Sequence, residues 1–257
     1  MAAAQRPGLD LLLSEPHTLE FGPTSSGAIY PRHLLAGDSI AAARAFLGAR
    51  LVRNDPSGVR VGRIVEVEAY IGTDDLASHA RFGPTKRNAV MFGPPGHAYM
   101  YLVYGMYDCL NVVTEPLGRA AALLVRSIEP LEGVDLMRHA RDEWIVAHAR
   151  RRGSGLESAA RTATARQRVA AVPDVRLASG PGLVCAAFSI GRGEDGADLC
   201  DPAASLHLER ARSSDPLFEF ASGPRIGIGY APEPWLSKPW RLWALGNPAV
   251  SSTRGRR

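Results

Sequence analysis

From Arg63 to Tyr70 the chain reads R-I-V-E-V-E-A-Y, a period-two alternation that marks a strand with two unlike faces. The alternation directs Val65, Val67 and Ala69 one way and Glu66, Glu68 and Tyr70 the other. Two carboxylates on one face of an apolar strand stand about 7 Å apart. Burying them without partners is expensive, so that face must meet cations, hydrogen-bond donors or a cleft. One carboxylate can act as a base while the other is tied up by an arginine or a capped backbone. Glu68, nearer Tyr70 and the loop that follows, is preferred to Glu66 as the base.

A second strong signal follows. Tyr99, Tyr101, Tyr104 and Tyr107, four of the seven tyrosines, lie within nine residues around Tyr104-Gly105-Met106-Tyr107. The flanking segments, Ala98 to Val103 and Cys109 to Thr114, read as a β-hairpin with that tetrapeptide as its turn. A tyrosine there can cover a core, or it can project. Tyr104 is the candidate wedge between base steps of a duplex, and Tyr99 and Tyr101 could stack on an extruded base. Such stacking is worth about 1–3 kcal/mol per base, comparable with the few kcal/mol that flipping costs. A carboxylate strand beside an aromatic hairpin points to chemistry on a nucleobase.

The charge balance permits an anionic partner without demanding one: net +4 over 257 residues, with a pI near 9.2. The positive charge is almost all arginine, since Lys86 and Lys238 are the only lysines. Neither lysine is placed to form a Schiff base, which favours direct attack by water over an amine nucleophile. No apolar run approaches the length of a membrane span, and the first residues do not read as a secretory signal. Cys109, Cys185 and Cys200 are few and far apart, as expected of reduced thiols in a cytosolic protein.

The remaining segments complete an architecture. Residues 1–27 read as a loosely held arm, and residues 251–257 as a polar, basic tail. Asp38 should cap a helix from Ser39 to Leu47, with Gly48 ending it. Strands are expected over Arg50 to Arg53 and Val59 to Tyr70, then Ala121 to Ile128, Leu206 to Arg210, Arg225 to Gly229 and Arg241 to Ala244. Short helices are expected after Thr73 and Thr85 and from Pro181 to Phe188, and a long one over Leu131 to Arg150. Residues 150–175, rich in Arg, Ala, Ser, Thr and Gly, read as a mobile basic insertion. The irregular alternation, with strands joined by hairpins, defines a single α+β domain over 28–250. It has a curved, mostly antiparallel sheet flanked by helices, and a protruding β-hairpin.

Three smaller features bear on function. His79 can be a structural hydrogen-bonder or one wall of an aromatic pocket, and no metal-ligand spacing surrounds it. Lys86-Arg87 can be a solvated face or a phosphate contact at a helix N-terminus. Gly191-x-Gly193-x-x-Gly196 matches a dinucleotide fingerprint in letters only, because it follows a helix rather than a strand.

The run from Gly62-R-I-V-E-V-E-A-Y to Asn111, then Arg126-S-I-E-P-L-E-G, Ser179-Gly180-Pro181, Arg225-I-G-I-G, Lys238-Pro239 and Gly246-x-Pro248, resembles the alkyladenine (methylpurine) DNA glycosylase family over most of residues 34–250. The resemblance implies a DNA-repair enzyme that flips damaged purines out of double-stranded DNA and hydrolyses the N-glycosidic bond. It implies an abasic product, no metal or organic cofactor, no lyase step, action as a monomer, and a cytoplasmic, nucleoid-associated setting. By motif position Glu68 is the general base and Arg126 helps hold the water and the carboxylate. Tyr70, His79 and Tyr101 wall the base pocket, Tyr104 fills the gap left by the flipped nucleotide, and Asn111 rejects guanine. An alkylated purine is cationic and leaves without protonation, whereas neutral hypoxanthine would need an acid. Lys86 and Arg87 are the proposed DNA contacts. The sequence departs from the family pattern at Thr114 to Arg119, which carries an extra Glu-Pro-Leu, at 142–175, which is longer, and at Phe82-Gly83-Pro84, which is one residue shorter than in some relatives. Two rivals are a damage-binding protein that flips bases without cutting and a hydrolase of free nucleosides.

Overall fold

The computed structural model describes residues 27–103, 105–151 and 156–251. Three expectations fall outside the described residues: the N-terminal arm up to residue 26, the wedge expected of Tyr104, and the tail from residue 252.

The first helix forms as its cap dictates. The Asp38 carboxylate accepts from the amides of Ile40 (3.0 Å) and Ala41 (2.8 Å), and α1 runs Ser39–Phe46. Such a cap contributes about 1 kcal/mol. β1 (Arg50–Asp55) and β2 (Gly58–Ile71) then form a tight hairpin. β3 (Ala98–Val103) and β4 (Tyr107–Val113) form the next, and β5 (Ala121–Glu132) returns beside both β4 and β2. Gly133 (φ +71°) turns the chain from β5 into α2 (Val134–Arg151), where a Cβ would collide with the Val59 carbonyl. α3 (Leu156–Ala170), β6 (Ala178–Ser179), α4 (Pro181–Ala187), β7 (Leu206–Glu209), β8 (Phe220–Gly223) and β9 (Arg241–Ala244) follow. All strand pairs are antiparallel, in the order β3-β4-β5-β2-β1-β7, with β6 on β5 and the β8–β9 pair on β2. The described residues form a single α+β domain around this nine-stranded sheet.

One face of the sheet meets the helices. Phe46 of α1, Met137 of α2 and Val184 of α4, with Phe188 just beyond it, pack with Ile64, Val67, Leu110, Val112, Leu123 and Val125 in the main core. The opposite face carries a smaller cluster: Tyr99, Val113 and Ala122, bordered by Tyr70 and Tyr101. The strand alternation therefore divides core from site, with Val67 and Ala69 inward and Glu68 and Tyr70 on the other face.

The alternation breaks at one point. Val65, expected beside Val67, instead packs with Ala244 and Ala249. The register explains it: Ile64 faces Ile128, Glu66 faces Ser127 and Val67 faces Val125. Val65 is thus an extra residue on β2 and Arg126 an extra residue on β5, two bulges side by side.

Other expectations are corrected. Thr73 and Thr85 start no helix: residues 79–82 and 89–92 are single 3₁₀ turns, because Gly72, Gly83, Pro84 and Gly93 leave no room to propagate. Lys86 and Arg87 accordingly sit in a turn rather than at a helix N-terminus. Arg225 to Gly229 is loop, and the strand of that region is β8. Leu131 and Glu132 belong to β5, not to the helix. Separately, and without bearing on the mobility expected of 150–175, α3 packs there against α2, and Arg138 donates to the carbonyls of Val169 (2.7 Å) and Val172 (3.0 Å).

Candidate active site

Antiparallel partners share a face, so register assembles the site. Glu68 faces Leu124, Leu124 faces Asn111, and Asn111 faces Tyr99, a row across four adjacent strands. Tyr70 faces Ala122 in the next row, where the small side chain leaves its ring space.

The two strand carboxylates, both fully buried, differ in their partners. Glu66 Oε1 accepts from Arg126 Nε (3.0 Å), Arg241 Nε (2.7 Å) and Ser251 Oγ (2.9 Å). Its Oε2 accepts from Ser127 Oγ (2.8 Å) and the Ser251 amide (2.7 Å). A carboxylate has about four lone-pair sites, so Glu66 is saturated. Burial alone would push its pKa up, but the two guanidiniums and the Ser251 amide win and hold it below the ordinary value.

Glu68 has fewer partners. Among the described residues, Oε1 accepts from the Ile226 amide (2.6 Å) and pairs with Arg126 Nη1 (3.2 Å), while Oε2 accepts only the Tyr70 hydroxyl (3.0 Å). Burial raises its pKa and prevails over the opposing Arg126, Ile226 and Tyr70 contacts. Oε2 keeps a lone-pair site free for a further donor. The bulge at Arg126 aims one guanidinium at both glutamates, so Arg126 ties the saturated carboxylate to the available one.

Behind Glu68 lies a pair that sequence reasoning missed. Arg225 and Asp75, both side chains wholly buried, pair through both guanidinium nitrogens at 2.6 and 2.9 Å. Arg225 also donates to the Ala69 carbonyl (2.9 Å) and stands 4.6 Å over the Tyr70 ring. It thereby fixes the neighbouring Ile226 amide on Glu68 and backs one face of Tyr70. Arg241 and Ser251 were missed too. Both bind Glu66, yet one reads as an ordinary strand residue and the other as the first residue of a tail.

The aromatic residues converge on a cleft of about 170 Å³ that includes His79, Tyr99, Tyr101, Arg87 and Phe82 in its walls. The His79 and Tyr101 rings are stacked, centroids 3.6 Å apart, and His79 Nδ1 lies 3.1 Å from the Tyr99 hydroxyl. His79 as a whole is exposed, but its ring lies in the concavity. Loss of solvent there, then Arg87 and Arg81, lowers the imidazole to about 4, so it is neutral at physiological pH. The Arg87 guanidinium sits 4.4 Å from the centre of the Tyr101 ring. Two groups this close to one ring exclude each other from a single face, so both faces of Tyr101 are covered and no base fits between Tyr101 and His79. Arg87 is exposed and, among the described residues, is held by one hydrogen bond, to the Leu102 carbonyl (3.2 Å). Asn111 is buried, and its amide nitrogen donates to the carbonyls of Tyr99 (3.0 Å) and Cys109 (3.3 Å), which locks its orientation. Among the described residues no three His, Cys, Asp or Glu side chains converge on a metal position, and no helix is long and apolar enough to cross a membrane.

Of the residues singled out from sequence, Glu68, Tyr70 and Arg126 come into direct contact, and His79 and Tyr101 form a second contact group. Asn111 joins the two through the strand register, Arg87 covers Tyr101, and Lys86 stands exposed in the turn.

A buried carboxylate–guanidinium centre thus lies beside an aromatic cleft on one face of the sheet. The sequence pattern of the family described as methylpurine-DNA glycosylase matches residues 33–248, and the chain belongs to that family; it is a DNA glycosylase. Three curated relatives share the name "Putative 3-methyladenine DNA glycosylase". The one from Methanocella arvoryzae is 41% identical, covering 87% of this chain and 96% of its own. That from Myxococcus xanthus is 40% identical (86% and 92%), and that from Bacillus cereus 37% (86% and 98%).

Proposed function

We propose that this protein is a monofunctional purine DNA glycosylase of base-excision repair, which flips alkylated purines such as 3-methyladenine out of duplex DNA and hydrolyses the N-glycosidic bond. The observation that carries the reading is the division of labour between the two glutamates: one saturated, the other with a free lone-pair site on Oε2. Glu68 takes a proton from water as it attacks the sugar C1′, and its charge steadies the oxocarbenium character of the transition state. Arg126 holds Glu68 in place and favours its charged form against burial. The base lies between Tyr70 and the His79–Tyr101 pair, where electron-rich rings favour a cationic purine and the neutral imidazole does not oppose it. Asn111, its amide fixed by two carbonyls, rejects guanine through the exocyclic amine. Tyr104, at the hairpin turn, fills the space left in the stack. The protein acts as a monomer without a cofactor.

The test is release of free base from two labelled duplexes, one carrying methylated purines and one a single hypoxanthine. Release from the methylated duplex is expected, with slower release of hypoxanthine, because a neutral base must be protonated to leave whereas an alkylated, cationic one need not. Tight binding without release from either would overturn the reading in favour of a damage-binding protein.

Lys86 and Arg87 are the proposed phosphate contacts, and Arg87 must leave Tyr101 when DNA arrives. The double substitution Lys86→Ala/Arg87→Ala should reduce the slope of log affinity against log salt by about 1.8, at about 0.9 per phosphate neutralised. A salt titration of duplex binding checks this, and an unchanged slope would remove both residues from the phosphate-tracking surface.

A further inference from the structure

Phe82 is 82% exposed, an unusual position for a phenylalanine that is also held firmly in place. It ends the 3₁₀ turn His79–Phe82, which starts at the Ser78 hydroxyl cap on the Ala80 amide (3.1 Å). The next residue, Gly83, adopts φ +78° and donates to the Ala80 carbonyl (2.8 Å), and Pro84 follows. The buried Asn88 side chain then donates to the carbonyls of both His79 (3.0 Å) and Gly83 (3.1 Å), clamping the two ends of the turn. The ring is therefore presented, not left on a free loop. Arg81 supports it, its guanidinium 4.7 Å from the Phe82 ring and 5.5 Å from that of Tyr230, itself 61% exposed. Tyr230 is anchored by its hydroxyl on the Ala77 carbonyl (3.0 Å).

Phe82 also lines the same cleft as His79 and Tyr101. The chain on either side of it carries one sign of charge: from Leu76 to Tyr107 there is no Asp or Glu, while Arg81, Lys86 and Arg87 lie in that stretch. A rigid, exposed aromatic ring in an acid-free, arginine-rich segment matches a ligand with flat apolar faces and a polyanionic backbone. Resting on the glycosylase reading above, we infer that Phe82, backed by Arg81, is a second stacking contact to the DNA, separate from the Tyr104 wedge, and that its occupant is an undamaged nucleobase beside the extruded one. Pre-organisation makes the contact effective, because the turn is already ordered before DNA binds.

The experiment measures the affinity of the full chain for a duplex containing a stable abasic-site analogue, which needs no excision. Phe82→Ala and Phe82→Leu should each bind about tenfold more weakly, within the range for one lost base stack, whereas Phe82→Trp should bind as the unsubstituted protein does. In a series of duplexes with 2-aminopurine at each position flanking or opposite the analogue, at least one should change emission on binding, and Phe82→Ala should lose that change. Unaltered affinity in Phe82→Ala, full retention by Phe82→Leu, or a 2-aminopurine response that survives Phe82→Ala would each overturn the proposal. Failure of the glycosylase reading appears separately, as absent base release by the unsubstituted protein.

Discussion

Glu68→Gln is expected to lower base release by 10²–10⁴-fold, the usual worth of general-base assistance, while leaving duplex binding and the fold intact. The expectation of an intact fold follows from the site. The glutamine oxygen can still accept the Ile226 amide, and its NH₂ can donate to the Tyr70 hydroxyl oxygen, so a hydrogen bond to each neighbour is kept. Arg126 loses one carboxylate but keeps Glu66. Charge points the same way. Burial raises the Glu68 pKa in the folded state, so the protonated form stabilises the fold. That contribution is fully present below the ordinary carboxylate value of about 4.3 and is lost as pH rises through the raised folded value. Above the ordinary carboxylate value the raised pKa costs the fold stability, and the neutral glutamine should leave Tm no lower than before. Excision by the unsubstituted protein should fall as pH drops, with a midpoint above 4.3. A steady rate down to pH 4 would remove Glu68 from the role of base.

Glu66→Gln should do the reverse. Glu66 is the shared acceptor for Arg126 and Arg241, both nearly fully buried. Neutralising it leaves those guanidiniums with too little negative charge, and breaking such a buried network costs about 3–5 kcal/mol. At about 2–4 °C per kcal/mol for a chain of this size, thermal unfolding should fall by roughly 6–20 °C. The pH dependence has the opposite sign to that of Glu68. The folded-state pKa is depressed, so its stabilisation is present above the ordinary value and lost as pH falls through the depressed one. The gap in Tm between the two proteins should therefore narrow in acid. An equal Tm at pH 7 would show that the network does not hold the fold.

These contrasting roles were only partly legible in the sequence. Alternation along residues 63–70 located the carboxylates and their shared face, and one residue's greater proximity to Tyr70 favoured Glu68. Alternation could not reveal the paired bulges at Val65 and Arg126, because a bulge is a property of two strands and leaves no mark in either alone. Nor could it say which glutamate was saturated. Arg241 and Ser251 reach Glu66 from 175 and 185 residues further along the chain, and local spacing carries no information at that range. Asp75 falls in the segment after Thr73 that read as a short helix, yet it holds Arg225 and through it the Ile226 amide. The hairpin of β3 and β4 was clear because both its strands and its turn signal are local. The lock between Arg87, Tyr101 and His79 was not, because it depends on how the 83–88 turn folds back over the strand.

The central claim is that one buried glutamate does the chemistry and its neighbour two residues away holds the site together. The most direct test is single-turnover release of free base from a methylated duplex at saturating protein, by the unsubstituted chain, Glu68→Gln and Glu66→Gln, each held well below its own Tm. The account predicts release by the unsubstituted chain, a loss of at least 10²-fold in Glu68→Gln despite an undiminished Tm, and a lowered Tm in Glu66→Gln. Release by Glu68→Gln at close to the unsubstituted rate would contradict it.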